Sequence, residues 1–516
     1  MCDWGIIMSV NIHKRLIEKG YFPDEMGFWF SSESFAKEID FISSNVSFDK
    51  RKISKLMKYS IPKGRYNRRN LGIMNPYQYF FLCKEIHENW SEIEIHLKKS
   101  NISLTAPVFK IGTARAISRK YTFEDISGIF LTKSVGANYV LKTDISRYYP
   151  TIYTHSIPWA LHTKEVAKQN RKDSLLGNLL DKIVRNSQDG QTIGIPIGSD
   201  TSLIISEIIG VAMDEVIMKS AKCLSAFRYV DDYYVFYSKL ADAEETLGEL
   251  QKVINDYELD LNKEKTGIYE MPQSLEPSWV SHLNNATLDN SNIISFISTT
   301  YSLIKEYPDE EVLKYSLARV KKLTINERNW PLVQAFILNS ITYDSSAMPL
   351  ACSILWEYYN KEYRINNTEV LKVINNIIDK ALYTNYDYEL VWALWLGKLL
   401  NVELNDEMLK KVCSIDNPII ALILLSDCKY SGKLNTCKWE EHMTKDDLYS
   451  EYWILAYEAL VSGWLPSKSG KDYIEEDNFF KILKDKDVRF FYYDYRSEWL
   501  DNNLEEEWLP NFSRAF

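Results

Sequence analysis

The stretch FRYVDDYYVF, residues 227–236, sets two adjacent aspartates between aromatic, β-favouring runs, and no other feature narrows the fold as much. Both flanks have strand composition, so the natural arrangement is a hairpin with Asp231 and Asp232 at its tip. Neighbouring carboxylates repel each other. Pressed between Tyr229-Val230 and Tyr233-Tyr234 they do not read as a solvated charge run. Bound divalent cations would relieve the repulsion.

Three further stretches share this character. NYVLKTDISRYYPTIYTHSIPW (138–159) reads as a buried strand ending at Asp144, then a turn through Ser146 and Pro150 toward a short helix. QTIGIPIGSDTSLIISEIIGVAMDEVIMKSA (191–221) reads as a Gly/Pro loop running into a helix, with Ser199 or Asp200 as its cap. Leu203, Ile204, Ile208, Ala212, Val216 and Ile217 form the expected apolar face of that helix. LDLNKEKTGIYE (259–270) follows a Glu-rich amphipathic helix and presents Lys265. Asp144 and Asp231 lie 87 residues apart, so only a sheet brings them together.

The order is a carboxylate at a strand end, a glycine loop and helix, a carboxylate pair in a hairpin, and a lysine after a helix. It suits nucleotidyl transfer, in which two hard cations ~3.5–4 Å apart are bridged by carboxylates. Phosphoryl oxygens gain charge in the transition state, so positioning and electrostatics carry most of the catalysis.

The chain has 516 residues, more than one compact core accommodates, so two or three domains are expected. The first 280 residues alternate strand-like and helix-like segments. Beyond them the pattern is helical throughout, as in PLVQAFILNSITY (331–343), YELVWALWLGKLL (388–400) and SEYWILAYEALVSGW (450–464). Short polar joins favour stacked helix pairs of the HEAT type, with a non-repeating bundle as the alternative. The boundary falls near 275–295. Trp392, Trp395 and Trp464 read as core of the helical half.

Net charge is −10, unevenly spread. Residues 1–280 carry 36 Lys+Arg and 35 Asp+Glu, and residues 281–516 carry 25 and 36. Residues 51–150 hold 18 basic against 7 acidic residues. That zone suits a phosphate ligand better than a long duplex track. Seven cysteines without a CxxC pair favour reduced thiols over a disulfide framework or zinc site. Neither a secretory leader nor an apolar run long enough to span a membrane is visible, so a cytoplasmic protein without membrane contact is expected.

DISRYY, GIPIG with its following serine, YVDD and LNKEKT resemble motifs A, B, C and D of reverse transcriptases. YTHSIPW (153–159) and AKQNRK (167–172) are similar to a narrower group, the abortive-infection (Abi) polymerases of bacterial phage defence, in length and order the prophage-encoded type. The resemblance implies an α/β reverse-transcriptase-like palm and fingers, the palm ferredoxin-like, followed by an all-α HEAT-like repeat domain. On this reading residues 1–137 are the N-terminal segment and fingers, 138–285 the palm, and 286–516 the helical domain.

The same resemblance assigns roles. Asp144, Asp231 and Asp232 are implied as metal-binding catalytic aspartates for Mg²⁺, or Mn²⁺. Lys265 is implied as a catalytic lysine near the leaving pyrophosphate. Arg65, Arg68 and Arg69 of KGRYNRRN, Gly198, and Tyr149 as sugar gate are implied to bind the nucleotide, with Tyr148 as the alternative gate. Where reverse transcriptases commonly carry PQG in motif B, this chain has Pro196-Ile197-Gly198, and Ile197 cannot hydrogen-bond; Gln191 is a nearby substitute. Abi polymerases make DNA without a template from deoxynucleotides, starting from a protein hydroxyl, so single-stranded DNA stays covalently attached. They are homo-oligomers, here expected as a trimer. Tyr21 is the first candidate for the priming hydroxyl, in a flexible N-terminal loop; Ser9 and Tyr66 are competitors. His155 is expected to order the motif A turn or to pack structurally. The other readings are a template-dependent reverse transcriptase and a non-catalytic helical scaffold.

Overall fold

The computed structural model describes residues 11–492, except 65, 66, 119, 120, 122 and 385. Strands β1 (Met57–Lys63) and β2 (Asn67–Ile73) form an antiparallel hairpin closed at Gly64, with Lys63 opposite Asn67. Met57, Tyr59 and Ile61 are buried in alternation along β1, the period of a half-buried strand. Two short strands, β3 (Val108–Phe109) and β4 (Ile117–Ser118), pair antiparallel.

The main sheet is four-stranded and antiparallel: β5 (Tyr139–Asp144), β6 (Ser225–Tyr229), β7 (Asp232–Tyr237) and β8 (Gly267–Glu270), in the order β6-β7-β5-β8. The chain passes from β5 to β6 through helix Asp200–Ser220, and from β7 to β8 through helix Leu240–Asp256. The register sets Asp144 opposite Asp232, so the ends of β5 and β7 meet at one sheet edge.

Helix Asp200–Ser220 departs from the expected single apolar face. Ile204, Ile205, Ile208, Ile209, Val211 and Met213 are all buried, whereas Val216 is 47% exposed. The helix packs against helices Ile12–Gly20, Trp90–Leu97, Ser156–His162 and Leu240–Asp256, so more than one of its faces is covered. Ser199 precedes it without a side-chain cap bond, and Asp200 is spent on Arg115 and on the Ile117 N–H, 3.0 Å away.

From Val312 onward the chain is helical, with each helix packed on the next but one through Pro418–Leu425. This half shares its core with the N-terminal segment. Trp29 lies with its ring centroid 4.8 Å from Trp392 and 4.4 Å from Trp395, all three indoles buried. Phe30 bridges to Phe491, and the Tyr492 N–H donates to the Trp29 carbonyl at 2.8 Å. Trp464 is only half-buried, against Phe491. One hydrophobic cluster runs from Ile12 to Phe491, so the N-terminal segment and the helical half form a continuous packed body. Among the described residues no helix is long and apolar enough to cross a membrane.

Candidate active site

The turn between β6 and β7 has two residues, Val230 and Asp231, closed by the pair Tyr229–Asp232. Val230 takes φ +57, a left-handed conformation that a β-branched residue rarely adopts. The Ile145 N–H donates to the Asp231 carbonyl at 3.2 Å, fastening the hairpin to the end of β5. Asp144, Asp231 and Asp232 therefore gather at one edge, as the sequence led us to expect.

The electrostatics of the three are those of crowded acids. Burial, then the charge of Asp144, raises Asp231 to about 6. Burial and the charge of Asp231 push Asp232 well above the usual carboxylate range. Lys265 joins them: its Nζ donates to Asp144 Oδ2 at 2.8 Å. Burial alone would lower this lysine, but the hydrogen bond to Asp144 and the three carboxylate charges raise it. Its loop is fixed to β5, since the Asn262 N–H donates to the Asp144 carbonyl at 2.8 Å and Thr266 Oγ1 lies 2.7 Å from Thr143 Oγ1.

The charges of the β1–β2 hairpin act on the same edge. Desolvation and the cations Arg69 and Lys265 lower the Lys63 pKa, against the pull of Asp144 and Asp231. The charge of Arg69 in turn offsets part of the rise at Asp231. Lys63 was not singled out from sequence, although it begins KGRYNRRN; its position opposite Asn67 at the hairpin end is what brings it in.

Among the described residues no three His, Cys, Asp or Glu side chains form a ready-made ion cage. Lys265 stands on Asp144, where a cation would be held. The donor chemistry nevertheless fits a hard divalent ion. Three carboxylates converge, and two of them are crowded enough to retain protons into or beyond the mildly acidic range.

The remaining candidates divide. Tyr149 lies on helix Tyr148–Thr151; its hydroxyl accepts from Ser206 Oγ at 3.0 Å, and its carbonyl accepts from the Ile195 N–H at 2.9 Å. Tyr148 is buried with its hydroxyl donating to the Ser206 carbonyl, a core position that leaves Tyr149 as the outward ring. Gly198 has φ +122, and a Cβ there would lie 2.8 Å from Pro23, so this glycine admits the N-terminal segment. Ile197 offers its carbonyl to the Gly72 N–H at 3.0 Å, joining the loop before helix Asp200–Ser220 to the β1–β2 hairpin. Gln191 is exposed. His155 Nδ1 lies 2.9 Å from Asp181 Oδ2, a hydrogen bond to helix Leu176–Asn186.

Two expectations are corrected. Arg68 is not held ready for a triphosphate: it is ion-paired with buried Glu389, Nη2 to Oε2 at 3.0 Å, and bonded to Ser60. It fastens the hairpin to the helical half. Tyr21 is not in a flexible loop: it is 1% exposed, stacked on Tyr79 at 4.2 Å, and donates to the Met74 carbonyl at 2.7 Å. Burial pushes its phenol well above the ordinary range, the opposite of an activated nucleophile. Arg65, Tyr66 and Ser9 lie outside the described residues.

A buried charge cluster under the hairpin was also missed. Arg228, Glu207 and Asp214 are each no more than 1% exposed and mutually bonded. The available signal was an arginine inside the apolar strand SAFRYV and a glutamate inside LIISEIIG.

Residues 91–296 match the family described as reverse transcriptase (RNA-dependent DNA polymerase). The match contains all four sheet strands and the three aspartates; it leaves out the β1–β2 hairpin and most of the helical half. No curated protein matches the chain. Among solved structures, apo telomerase from Candida Tropicalis is similar over 81% of this chain and 75% of that chain, at 12% identity and a TM-score of 0.32. The sheet edge with its aspartates lies inside the matched span, and the chain carries a reverse-transcriptase-like polymerase domain.

Proposed function

We propose that this protein is a template-independent DNA polymerase that starts from a protein hydroxyl, keeps its single-stranded product covalently attached, and acts in abortive-infection antiphage defence. The observation that carries the polymerase part is the meeting of Asp144, Asp231 and Asp232 with Lys265 at one sheet edge, within reach of the charges of Lys63 and Arg69. The strand order and the two crossover helices support a ferredoxin-like palm, and the packing of each C-terminal helix on the next but one supports HEAT-like repeats.

Asp144, Asp231 and Asp232 would hold Mg²⁺ or Mn²⁺, which supplies activation of the attacking hydroxyl and charge neutralisation of the triphosphate. Lys265 and Arg69, with Lys63, offset charge on the phosphates of a deoxynucleotide, and Tyr149 rejects a 2′-hydroxyl. Support for untemplated synthesis comes from Ile197, which places an apolar side chain where motif B of templated enzymes offers an amide. The matched family supports a second reading, templated reverse transcription. With Tyr21 in the core, the priming hydroxyl belongs to another residue. A homo-oligomer, in the first instance a trimer, completes the proposal.

The test uses purified protein, labelled deoxynucleotides and Mg²⁺ without template or primer, resolved on a denaturing gel. A ladder that rises from the protein band and collapses with nuclease supports the proposal, and mass spectrometry of the trimmed protein names the primer. Synthesis only with an annealed primer–template establishes the templated reading instead. Silence in both leaves a scaffold.

A further inference from the structure

Beneath the aspartate hairpin the guanidinium of Arg228 uses every donor it has. Nε bonds Asp214 Oδ1 at 2.8 Å and Nη2 bonds Asp214 Oδ2 at 2.9 Å; Nη1 bonds Glu207 Oε1 at 2.9 Å and Nη2 bonds Glu207 Oε2 at 3.2 Å. The last N–H, on Nη1, goes to the Val230 carbonyl at 2.7 Å. The other side of Val230 is held by the same network. Its N–H donates to Thr105 Oγ1 at 3.2 Å, and that hydroxyl donates to Glu207 Oε1 at 2.5 Å. Val230 is thus clamped at both ends by one closed circuit, in the left-handed conformation that turns the chain into Asp231.

The helix is shaped for this. Glu207, Gly210 and Asp214 fall on one face of helix Asp200–Ser220, at i, i+3 and i+7. A Cβ on Gly210 would lie 2.8 Å from Arg228 Cζ, so the glycine lets the guanidinium lie flat against the helix. A buried ion cluster is a poor device for stability alone, because apolar packing of equal volume serves as well. A device that fixes one strained peptide next to a cation-binding carboxylate has a reason to be charged, bidentate and directional.

We infer that Arg228, with Glu207 and Thr105, is a positioning residue: it holds Val230 left-handed and thereby aims the Asp231 carboxylate at the divalent cation. This rests on the polymerase reading only in taking Asp231 as a cation ligand. The test is Mn²⁺ binding to the full chain, read by electron paramagnetic resonance, with nucleotide incorporation measured in parallel. Arg228→Lys keeps the charge and loses the fork; it is expected to raise the half-saturating Mn²⁺ concentration by about tenfold. Adding Val230→Gly, which adopts positive φ without strain, is expected to bring binding back to within about threefold of the parent. Unchanged Mn²⁺ binding in Arg228→Lys, or a loss that Val230→Gly does not reverse, overturns the inference. Should Arg228→Lys fail to fold, Thr105→Val removes the partner of the Val230 N–H and is held to the same criteria. Parent protein that binds Mn²⁺ through Asp231, as shown by loss in Asp231→Asn, but makes no DNA overturns the polymerase reading, while the clamp is still decided by the Mn²⁺ shifts. Mn²⁺ binding that ignores Asp231→Asn overturns both.

Discussion

Two clusters of carboxylates lie on either side of the β6–β7 turn, and their chemistry is opposite. Glu207 and Asp214 are wholly buried yet matched: one guanidinium and three hydroxyls saturate them, and these partners hold Glu207 below its usual range despite the burial. Asp144, Asp231 and Asp232 are less deeply buried and only partly matched, by Lys265 on Asp144; burial and the charge of Asp144 push Asp231 upward, and burial and the charge of Asp231 push Asp232 upward. A completed cluster is architecture. A cluster whose acids are held uncomfortably close is set up to take a cation from outside.

The largest expected contrast is in activity. Asp144→Asn or Asp231→Asn should lower incorporation by at least about 10³-fold with the fold intact, since the divalent ions are asked for several kcal/mol of transition-state stabilisation. Steady-state incorporation and circular dichroism check this together. Retained activity in both variants would erase the distinction between the clusters.

Stability should respond the other way round. Arg228→Met leaves Glu207 and Asp214 buried without a counter-charge and should cost about 3–5 kcal/mol, read as a fall in the denaturation midpoint. Asp231→Asn should stabilise the metal-free protein at pH 7.5, by at most about 3 kcal/mol.

The pH dependence sharpens the same contrast. Asp231 titrates at about 6 in the folded chain and near 3.8 when unfolded, so the folded state takes up the extra proton. Its contribution to metal-free stability is fullest below pH ~4 and is lost as pH rises through ~6. Glu207 is shifted downward, so its contribution is present above its unfolded value and lost on acidification. Melting curves from pH 4 to 8 of the parent and of Asp231→Asn separate the two. Saturating Mg²⁺ should remove the loss between pH 4 and 6, because the ion takes the place of the proton.

The smallest effects should divide the two fingers arginines. Arg69→Ala should raise the deoxynucleotide KM roughly tenfold with little change in melting temperature, as for loss of one charge-assisted contact. Arg68→Ala should lower the melting temperature by a few degrees, about 1–2 kcal/mol, with KM unchanged, since its partner is Glu389. Equal KM effects would mean that Arg68 also faces the nucleotide.

Much of this was legible along the chain. A strand ending at Asp144, a two-strand hairpin at Asp231-Asp232, a glycine loop entering a helix, and every one of the quoted C-terminal helices appear as expected. These features rest on local patterns of period 2 or 3.6 and on turn chemistry, which the sequence states directly. What escaped is long-range. Nothing local tells that Arg68 meets Glu389 across 321 positions, that Tyr21 stacks in a core with Tyr79, or that Trp29 joins Trp392 and Trp395. A tyrosine after a helix reads the same in a loop or in a core.

The residue types at the sheet edge, their order, and hence the class of chemistry were determined by the sequence alone, because carboxylates crowded between strands have few structural uses. Which cations face them, which arginine is already spent, and what holds Val230 in its turn were decided only by the tertiary structure. Those are questions of distance between groups remote in the chain, and a guanidinium is a ligand, a strut or a clamp according to which carboxylate the fold brings within 3 Å.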